Sequence, residues 1–216
     1  MIASVLDPLT AGARTLGIEL TPGMQERFRT YHALLLTWNK RINLISRQDT
    51  GRIIGYHFLD SLAAIPLISP GALVADLGSG AGLPGIPIRI VRDDIRMTLV
   101  EATRKKVLFL DTAIRQLALE NTAVCHTRAE AITDLKFDLV LCRLLGKIKD
   151  VLPFTAPLLN PRGQIVFYKV TGNDPEMKQA QRVLDRLHLH ITEVRDVRLP
   201  VPAEILRRLV VVARLS

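Results

Sequence analysis

The first 68 residues carry apolar side chains at helical spacing. After Thr21, a residue type that favours a helix start and precedes Pro22, apolar residues recur every three or four positions as far as Trp38. A second helical pattern follows Asp49 and stops near Pro66. These patterns predict a helical extension over residues 1–68 that packs on the rest of the chain.

After residue 71 the pattern changes to short apolar runs that alternate with helical stretches. Runs typical of buried strands lie at 72–77, 97–100, 122–125, 137–142 and 164–168. Helical patterns separate most of them, most clearly at 103–119 and 175–187. This alternation predicts a parallel sheet with helices on both faces.

Two more strand candidates, 191–199 and 205–214, follow the last helical pattern. A Pro200-Val201-Pro202 turn separates them, so we expect the two strands to pair in antiparallel fashion. Residues 69–216 are therefore predicted to form an α/β, Rossmann-like core with an antiparallel last strand. The extension and this core are expected to make one compact unit.

The composition is that of a globular protein. The 216 residues are 48% hydrophobic and 23% charged, which excludes disorder as the main state. No apolar run reaches the roughly 18 residues of a membrane helix, and the start of the chain lacks the basic segment of a signal peptide. We therefore expect a cytoplasmic protein with no membrane partner. No Cys/His cluster has zinc spacing, so no metal site is predicted.

The charge balance indicates the kind of partner. The chain has 29 Lys plus Arg against 21 Asp plus Glu, a formal net charge of +8. An excess of this sign suits a polyanion such as RNA, because neutralised phosphates supply most of the affinity that is independent of base sequence. Only 5% of the residues are aromatic, so no stacking surface is evident from the sequence.

A glycine-rich turn follows the first strand candidate. It contains Gly78, Gly80, Gly82 and Gly85, and glycine lets a ligand approach the main chain closely. A P-loop needs Gly-Lys-Ser/Thr at its end, whereas Ile86 follows the last glycine here. A nucleophile elbow is excluded too, because the serine of the turn lacks a glycine two residues before it.

The turn fits two cofactors equally well. Its last three glycines match G-x-G-x-x-G, and Glu101 follows about 20 residues later, where a carboxylate binds ribose hydroxyls. This pattern does not separate NAD from S-adenosylmethionine. Asp76, two residues before Gly78, completes D-x-G-x-G-x-G. With the antiparallel strand pair, this motif resembles class I S-adenosylmethionine-dependent methyltransferases.

Further motifs, in order along the chain, resemble one family. They include Trp38-Asn39-Lys40-Arg41-Ile42-Asn43-Leu44, His57-Phe58-Leu59-Asp60-Ser61-Leu62, the glycine turn running into Pro84-Gly85-Ile86-Pro87, Lys105-Lys106 after Glu101, and Arg128-Ala129-Glu130. Arg143 and Lys169 continue the series. Over residues 20–213 the chain is similar to the bacterial ribosomal small-subunit methyltransferase G family, also called glucose-inhibited division protein B.

The resemblance implies an enzyme that transfers a methyl group from S-adenosylmethionine to N7 of a guanine in 16S ribosomal RNA. It implies a small ribosomal subunit or its assembly intermediate as partner, and we expect a monomer. The cofactor-binding residues predicted from the turn and the resemblance are Asp76, Gly78, Gly80, Leu83, Glu101, Ala102, Thr103, Ala129, Glu130 and Arg143.

Guanine N7 carries an unprotonated lone pair, so no general base is needed. We therefore predict catalysis by positioning, with Arg143 and Asp60 as candidate catalytic residues. A bidentate contact from Arg143 to O6 and N7 would occupy the reacting lone pair. Arg143 is predicted instead to contact O6 alone, a phosphate or the methionine carboxylate of the cofactor.

The chain departs from the family pattern at four positions. Tyr56 replaces a common Arg, Cys142 and Leu144 replace small neighbours of Arg143, and Val170 replaces a common glycine. We expect these changes to lie on the RNA side of the pocket and to leave cofactor use intact. Three other functions stay open on the residues alone: an NAD-dependent oxidoreductase, a non-catalytic RNA-binding or ribosome-assembly module, and a small-molecule methyltransferase.

Overall fold

A computed structural model describes residues 6–172, 174–199 and 205–214. Its centre is a sheet of seven strands in the order β3-β2-β1-β4-β5-β7-β6. The strands are β1 (Leu73–Leu77), β2 (Arg96–Val100), β3 (Thr122–Cys125), β4 (Phe137–Arg143), β5 (Leu159–Val170), β6 (Leu189–Leu199) and β7 (Ile205–Arg214).

The first five strands are parallel, and β7 runs antiparallel to both β5 and β6. This confirms the predicted α/β sheet and its reversed last strand. The strand predicted at 164–168 is longer in the structure, because β5 begins at Leu159. The turn predicted at 200–202 lies outside the described residues.

Helices cover both faces of the sheet. They are α1 (Asp7–Thr15), α2 (Pro22–Asn39), α3 (Asp60–Leu62), α4 (Gly85–Val91), α5 (Arg104–Gln116), α6 (Ile148–Thr155) and α7 (Asp174–Arg186). Helix α2 begins as predicted, since the Thr21 side chain accepts a hydrogen bond from the Met24 amide at 3.2 Å. Among the described residues, no helix is both long and apolar enough to cross a membrane.

The second helix predicted in the extension is irregular. A 3-10 helix at Arg47–Arg52 passes into a π-helical segment at Ile53–Leu59 and only then into α3. Two glycines, Gly51 and Gly55, lie in this stretch, and glycine disfavours a regular helix. The widened π turn carries Tyr56 and His57, and such turns are frequent at functional sites.

The extension shares a core with the sheet. Phe28, Tyr31 and Phe58 are fully buried and belong to the same apolar cluster as Val74 and Leu141 of the central strands. The opposite face of the sheet packs on α6 and α7 in a second cluster. The extension therefore packs on one face of the sheet together with α4 and α5, whose buried residues belong to the same cluster.

A cleft at the carboxyl ends of the central strands

The glycine turn lies between β1 and α4, at the carboxyl edge of the sheet where α/β proteins bind ligands. Gly78 has φ of 67°, and a Cβ there would lie 2.8 Å from Leu145 Cδ1. The Ser79 amide donates to the Val100 carbonyl at 2.9 Å, which fixes the turn against the end of β2. Tyr31 of α2 supports it from below, because its hydroxyl donates to the Ala81 carbonyl.

Glu101 joins the turn to the start of α5. Its Oε2 accepts from the Gly80 amide at 2.9 Å, and its Oε1 accepts from the Thr103 amide at 2.7 Å. Each carboxylate oxygen has a second lone pair, so the group keeps acceptor capacity for the hydroxyls of a ribose. Ala102 and Thr103 beside it are exposed, as a ligand-contacting edge requires.

Asp76 is a buried carboxyl group, and only one of its two oxygens forms a hydrogen bond with a described residue. Its Oδ2 accepts from the Gly85 amide at 3.0 Å, whereas Oδ1 has no hydrogen-bond partner among the described residues. Burial raises the pKa of Asp76 to about 7, against the opposing effects of the Gly85 amide and the positive charge of Arg143. A buried oxygen of this kind fits a cationic group of a ligand.

Arg143, at the end of β4, is held by a buried network. Its Nε donates to Asp60 Oδ2 at 2.8 Å, and its Nη2 donates to the Tyr56 carbonyl and to His57 Nδ1, each at 3.1 Å. Arg207 of β7 donates to the other oxygen of Asp60. One fully buried carboxylate thus orients two guanidinium groups.

His57 is a neutral ring in this network. Burial, then the positive charge of Arg143, lower the pKa of His57 to about 4. Since a guanidinium only donates, Nδ1 is the acceptor and Nε2 carries the hydrogen. Nε2 is buried without a hydrogen-bond partner, and the nearest carboxylate oxygen, Asp49 Oδ2, is 4.0 Å away.

These groups surround a cleft of about 350 Å³. Of the predicted site residues, Gly78, Gly80, Leu83 and Arg143 line it. A larger cavity of about 510 Å³ lies at the amino ends of the strands, the edge opposite to the glycine turn.

The remaining predicted residues lie around or behind this cleft. Asp76 and Asp60 are buried behind it, whereas Glu101 to Thr103 follow the end of β2. Ala129 and Glu130 lie in a 3-10 turn after β3, with Ala129 buried and Glu130 exposed. These residues remain predicted cofactor contacts.

The sequence did not identify three residues of the cleft region. They are His57, which stands out only as part of a family motif, Asp49, which only precedes a helical pattern, and Arg207 in the last strand candidate. The glycine motif is local and therefore visible, whereas Arg207 meets Asp60 from 147 positions away. Two residues so far apart along the chain leave no pattern in a single sequence that would show their contact.

The four departures from the family pattern differ in where they lie relative to the cleft. Tyr56 and Leu144 line the cleft, and Leu144 is 85% exposed. Val170 is also exposed, at the end of β5. Cys142 is buried, and burial raises the pKa of its thiol far above the usual range, so it is not a thiolate nucleophile.

Sequence comparison finds extensive similarity to one family. The profile of the GidB family, described as rRNA small subunit methyltransferase G, matches residues 24–200. Ribosomal RNA small subunit methyltransferase G of Caldanaerobacter subterraneus subsp. tengcongensis is 36% identical, over 98% of this chain and 90% of that protein. The protein of the same name from Neisseria meningitidis serogroup C is 35% identical, over 90% of each.

Solved structures share the fold at lower identity. Precorrin-6y C5,15-methyltransferase from Geobacter metallireducens superposes with a TM-score of 0.55 at 17% identity, over 81% of this chain and 92% of that one. TYW2 of M. jannaschii, solved in complex with AdoMet, gives 0.58 at 16% identity, over 81% and 78%. These likenesses support the Rossmann-like methyltransferase fold.

Proposed function

Because the chain belongs to the rRNA small subunit methyltransferase G family, we propose that it methylates N7 of a guanine in 16S ribosomal RNA. It is an S-adenosylmethionine-dependent methyltransferase that acts on ribosomal RNA. The observation that carries the proposal is the cleft itself, where the glycine turn and Glu101 adjoin the Arg143 network. Family membership sets aside the oxidoreductase, the silent RNA-binding module and the small-molecule methyltransferase.

The residues at the carboxyl edge fit the cofactor. Glu101 has acceptor capacity for two ribose hydroxyls. At Gly80 of the turn, the nearest atom to a Cβ position is 3.7 Å away, which leaves the main chain there open to a close approach. The free Oδ1 of Asp76 suits the amino group of the methionine arm. We place the adenine beside Ala129 and Glu130. When bound, S-adenosylmethionine supplies a methyl group that is activated by its positively charged sulfur.

The chain's own residues then have to position the guanine. N7 needs no deprotonation, so orientation of the lone pair toward the methyl carbon is the main task, and orientation alone is worth roughly 7 to 11 kcal/mol. Two nitrogens of Arg143 are occupied by Asp60, Tyr56 and His57. Among the described residues none accepts from Nη1, so its two N–H groups remain for the substrate. With the other two nitrogens already occupied, Arg143 has no second free nitrogen with which to clamp both O6 and N7, which supports a single contact.

The enzyme is further proposed to act as a monomer in the cytoplasm, on the small ribosomal subunit or its assembly intermediate. Its net charge of +8 suits a large RNA surface. The target base must leave its stack to reach the cleft, because side chains do not enter the deep groove of duplex RNA.

Transfer of a labelled methyl group tests this function. Unmethylated 16S RNA and unmethylated small subunits are each incubated with the protein and labelled S-adenosylmethionine, and the RNA is digested to nucleosides. We expect one label per RNA, recovered as 7-methylguanosine. Label in any other nucleoside, or none in either substrate while the protein binds the cofactor, would contradict the proposal.

A further inference from the structure

We propose that His57 and Asp49 form a pair that recognises the target base through its Watson–Crick edge, with His57 Nε2–H donating to guanine O6 and Asp49 Oδ2 accepting from N1–H. Both residues line the cleft together with Gly78 and Arg143. This inference rests on the proposed function, because it assigns a recognition role within the same site. The two residues would determine specificity, and neither takes part in the transfer itself.

The donor of this pair is fixed by the buried network. His57 Nδ1 accepts from Arg143 Nη2 at 3.1 Å, so the ring hydrogen resides on Nε2. Nε2 is buried, yet no described residue forms a hydrogen bond with it. Buried polar groups are nearly always satisfied, and an unsatisfied donor in the wall of a substrate cleft indicates that the substrate supplies the acceptor.

The acceptor of the pair, Asp49, is also oriented by an arginine. Arg52 Nη2 donates to Asp49 Oδ1 at 2.6 Å, which orients the carboxylate, and no described residue donates to Oδ2 within hydrogen-bond distance. Oδ2 is 4.0 Å from His57 Nε2, too far for a direct hydrogen bond. A ligand with an acceptor atom next to a donor atom would satisfy both groups at once.

Guanine has this arrangement on its Watson–Crick edge, where the O6 acceptor adjoins the N1–H donor. Adenine presents the reverse, an amino donor beside an unprotonated N1. It would place a donor against His57 Nε2–H and an acceptor against the Asp49 carboxylate. Enzymes that act on an extruded base read this edge. Recognition there leaves N7, which lies on the other edge of the ring, free to react.

The charge of the pair also suits the reaction. Positive charge develops on the guanine ring as N7 is methylated, so a neutral donor opposes it less than a cation does. The ring of His57 is neutral near pH 7, because burial and Arg143 depress its pKa. Asp60 partly balances the guanidinium of Arg143 behind it.

The test replaces the base as well as the residues. Ribosomal RNA is assembled by ligation around a synthetic oligonucleotide that carries either guanine or 2-aminopurine at the mapped target. The analogue keeps N7 but lacks O6 and has an acceptor at N1. We expect the wild-type kcat/KM to fall at least tenfold on 2-aminopurine, as when a site loses hydrogen bonds it was built to make.

The variants make the assignment specific. His57→Leu also removes an acceptor of Arg143, so it should lower kcat/KM on both bases, but at least tenfold more on guanine than on 2-aminopurine. His57→Gln, whose amide can both accept from Arg143 and donate to O6, should keep more of the guanine activity than His57→Leu. Asp49→Asn offers a donor to N1 and should raise activity on 2-aminopurine while lowering it on guanine.

Asp94→Asn is the matched control, since Asp94 is paired to Arg92 as Asp49 is to Arg52, but its carboxylate contacts Gly71 at the opposite edge of the sheet. It should discriminate between the bases as the wild type does. Cofactor titration and thermal unfolding of each variant establish that fold and donor binding are retained.

The proposed recognition by His57 and Asp49 would be wrong if His57→Leu lowered kcat/KM equally on both bases, or if the wild type methylated both bases equally. Either result would leave the proposed guanine methylation intact. The wild-type comparison needs no variant to fold. A wild type that methylates no ribosomal RNA would contradict the proposed function itself, and the pair with it.

Discussion

At the scale of single residues, the site depends on one buried carboxylate. Asp60 is fully buried and is the only partner through which Arg143 and Arg207 are joined among the described residues. The resemblance singled out Asp60 and Arg143 as candidates, but the contact between them is visible only in three dimensions, because they are 83 positions apart. Asp60 is best described as a positioning residue, since Arg143 lies between it and the cleft.

Replacing Asp60 with Asn should therefore cost both stability and activity. The change leaves two buried guanidinium groups without a counter-charge, which we expect to lower the free energy of unfolding by about 3 to 5 kcal/mol. Urea unfolding measures this loss. Asp174→Asn is the control, because it removes an exposed partner of Arg208 and should cost less than about 1 kcal/mol. Equal urea midpoints for the two variants would argue against the buried network.

Asp76 should make cofactor affinity depend on pH. Its pKa is about 7 because it is buried, so the free protein increasingly holds the proton as the pH falls through 7. If the amino group of the cofactor pairs with the carboxylate, that proton must leave, and affinity should be about tenfold weaker near pH 6 than near pH 8. Calorimetric titration at both values measures the change.

The stability of the ligand-free protein should respond to the same group with the opposite trend. A raised folded-state pKa stabilises the fold below the unfolded value of 3.8, and this contribution is lost as the pH rises toward 7.

In the binding experiment, methylthioadenosine is the control ligand, because it lacks the amino acid arm and should bind with no such pH dependence. An identical pH profile for both ligands would remove Asp76 from the amino-group site.

At the scale of elements, the local pattern of apolar residues was sufficient to predict a helix or strand where only one face of that element is buried. Helices α2 and α5 and the strands with an apolar run were predicted because their apolar spacing is regular. Helix α4 was not distinguished, since six of its seven residues are buried and no polar face reveals a period. The π turn was predicted as an ordinary helix. Gly51 and Gly55 weaken the helical preference of this stretch, but its contacts with α1 and Arg143 come from distant parts of the chain.

At the scale of the whole molecule, the alternation of strands and helices predicted a parallel sheet but not its order. The position of β4 beside β1 and the insertion of β7 between β5 and β6 depend on packing across the chain. The boundary at residue 68 remains a proposal about sequence organisation. Across it, Phe28 and Phe58 of the extension belong to the same core as Val74 of β1.

One cooperative unfolding transition should follow from this shared core. Trp38 of α2 packs on Phe109 of α5, with ring centroids 5.7 Å apart, so its fluorescence reports on the contact between extension and core. In urea, fluorescence and far-ultraviolet circular dichroism should change with the same midpoint. A fluorescence change that precedes the loss of secondary structure would show that residues 1–68 detach as an independent unit.

The central claim is that the cleft beside Gly78 holds the methyl donor through Glu101. Calorimetric titration of S-adenosylmethionine into the wild type and Glu101→Gln tests it most directly, with NAD as the competing ligand. We expect one site for S-adenosylmethionine, no binding of NAD, and affinity at least tenfold lower in the variant, because a carboxylate accepts hydrogen bonds more strongly than a neutral amide. Unchanged affinity in Glu101→Gln, or binding of NAD in place of S-adenosylmethionine, would contradict the account.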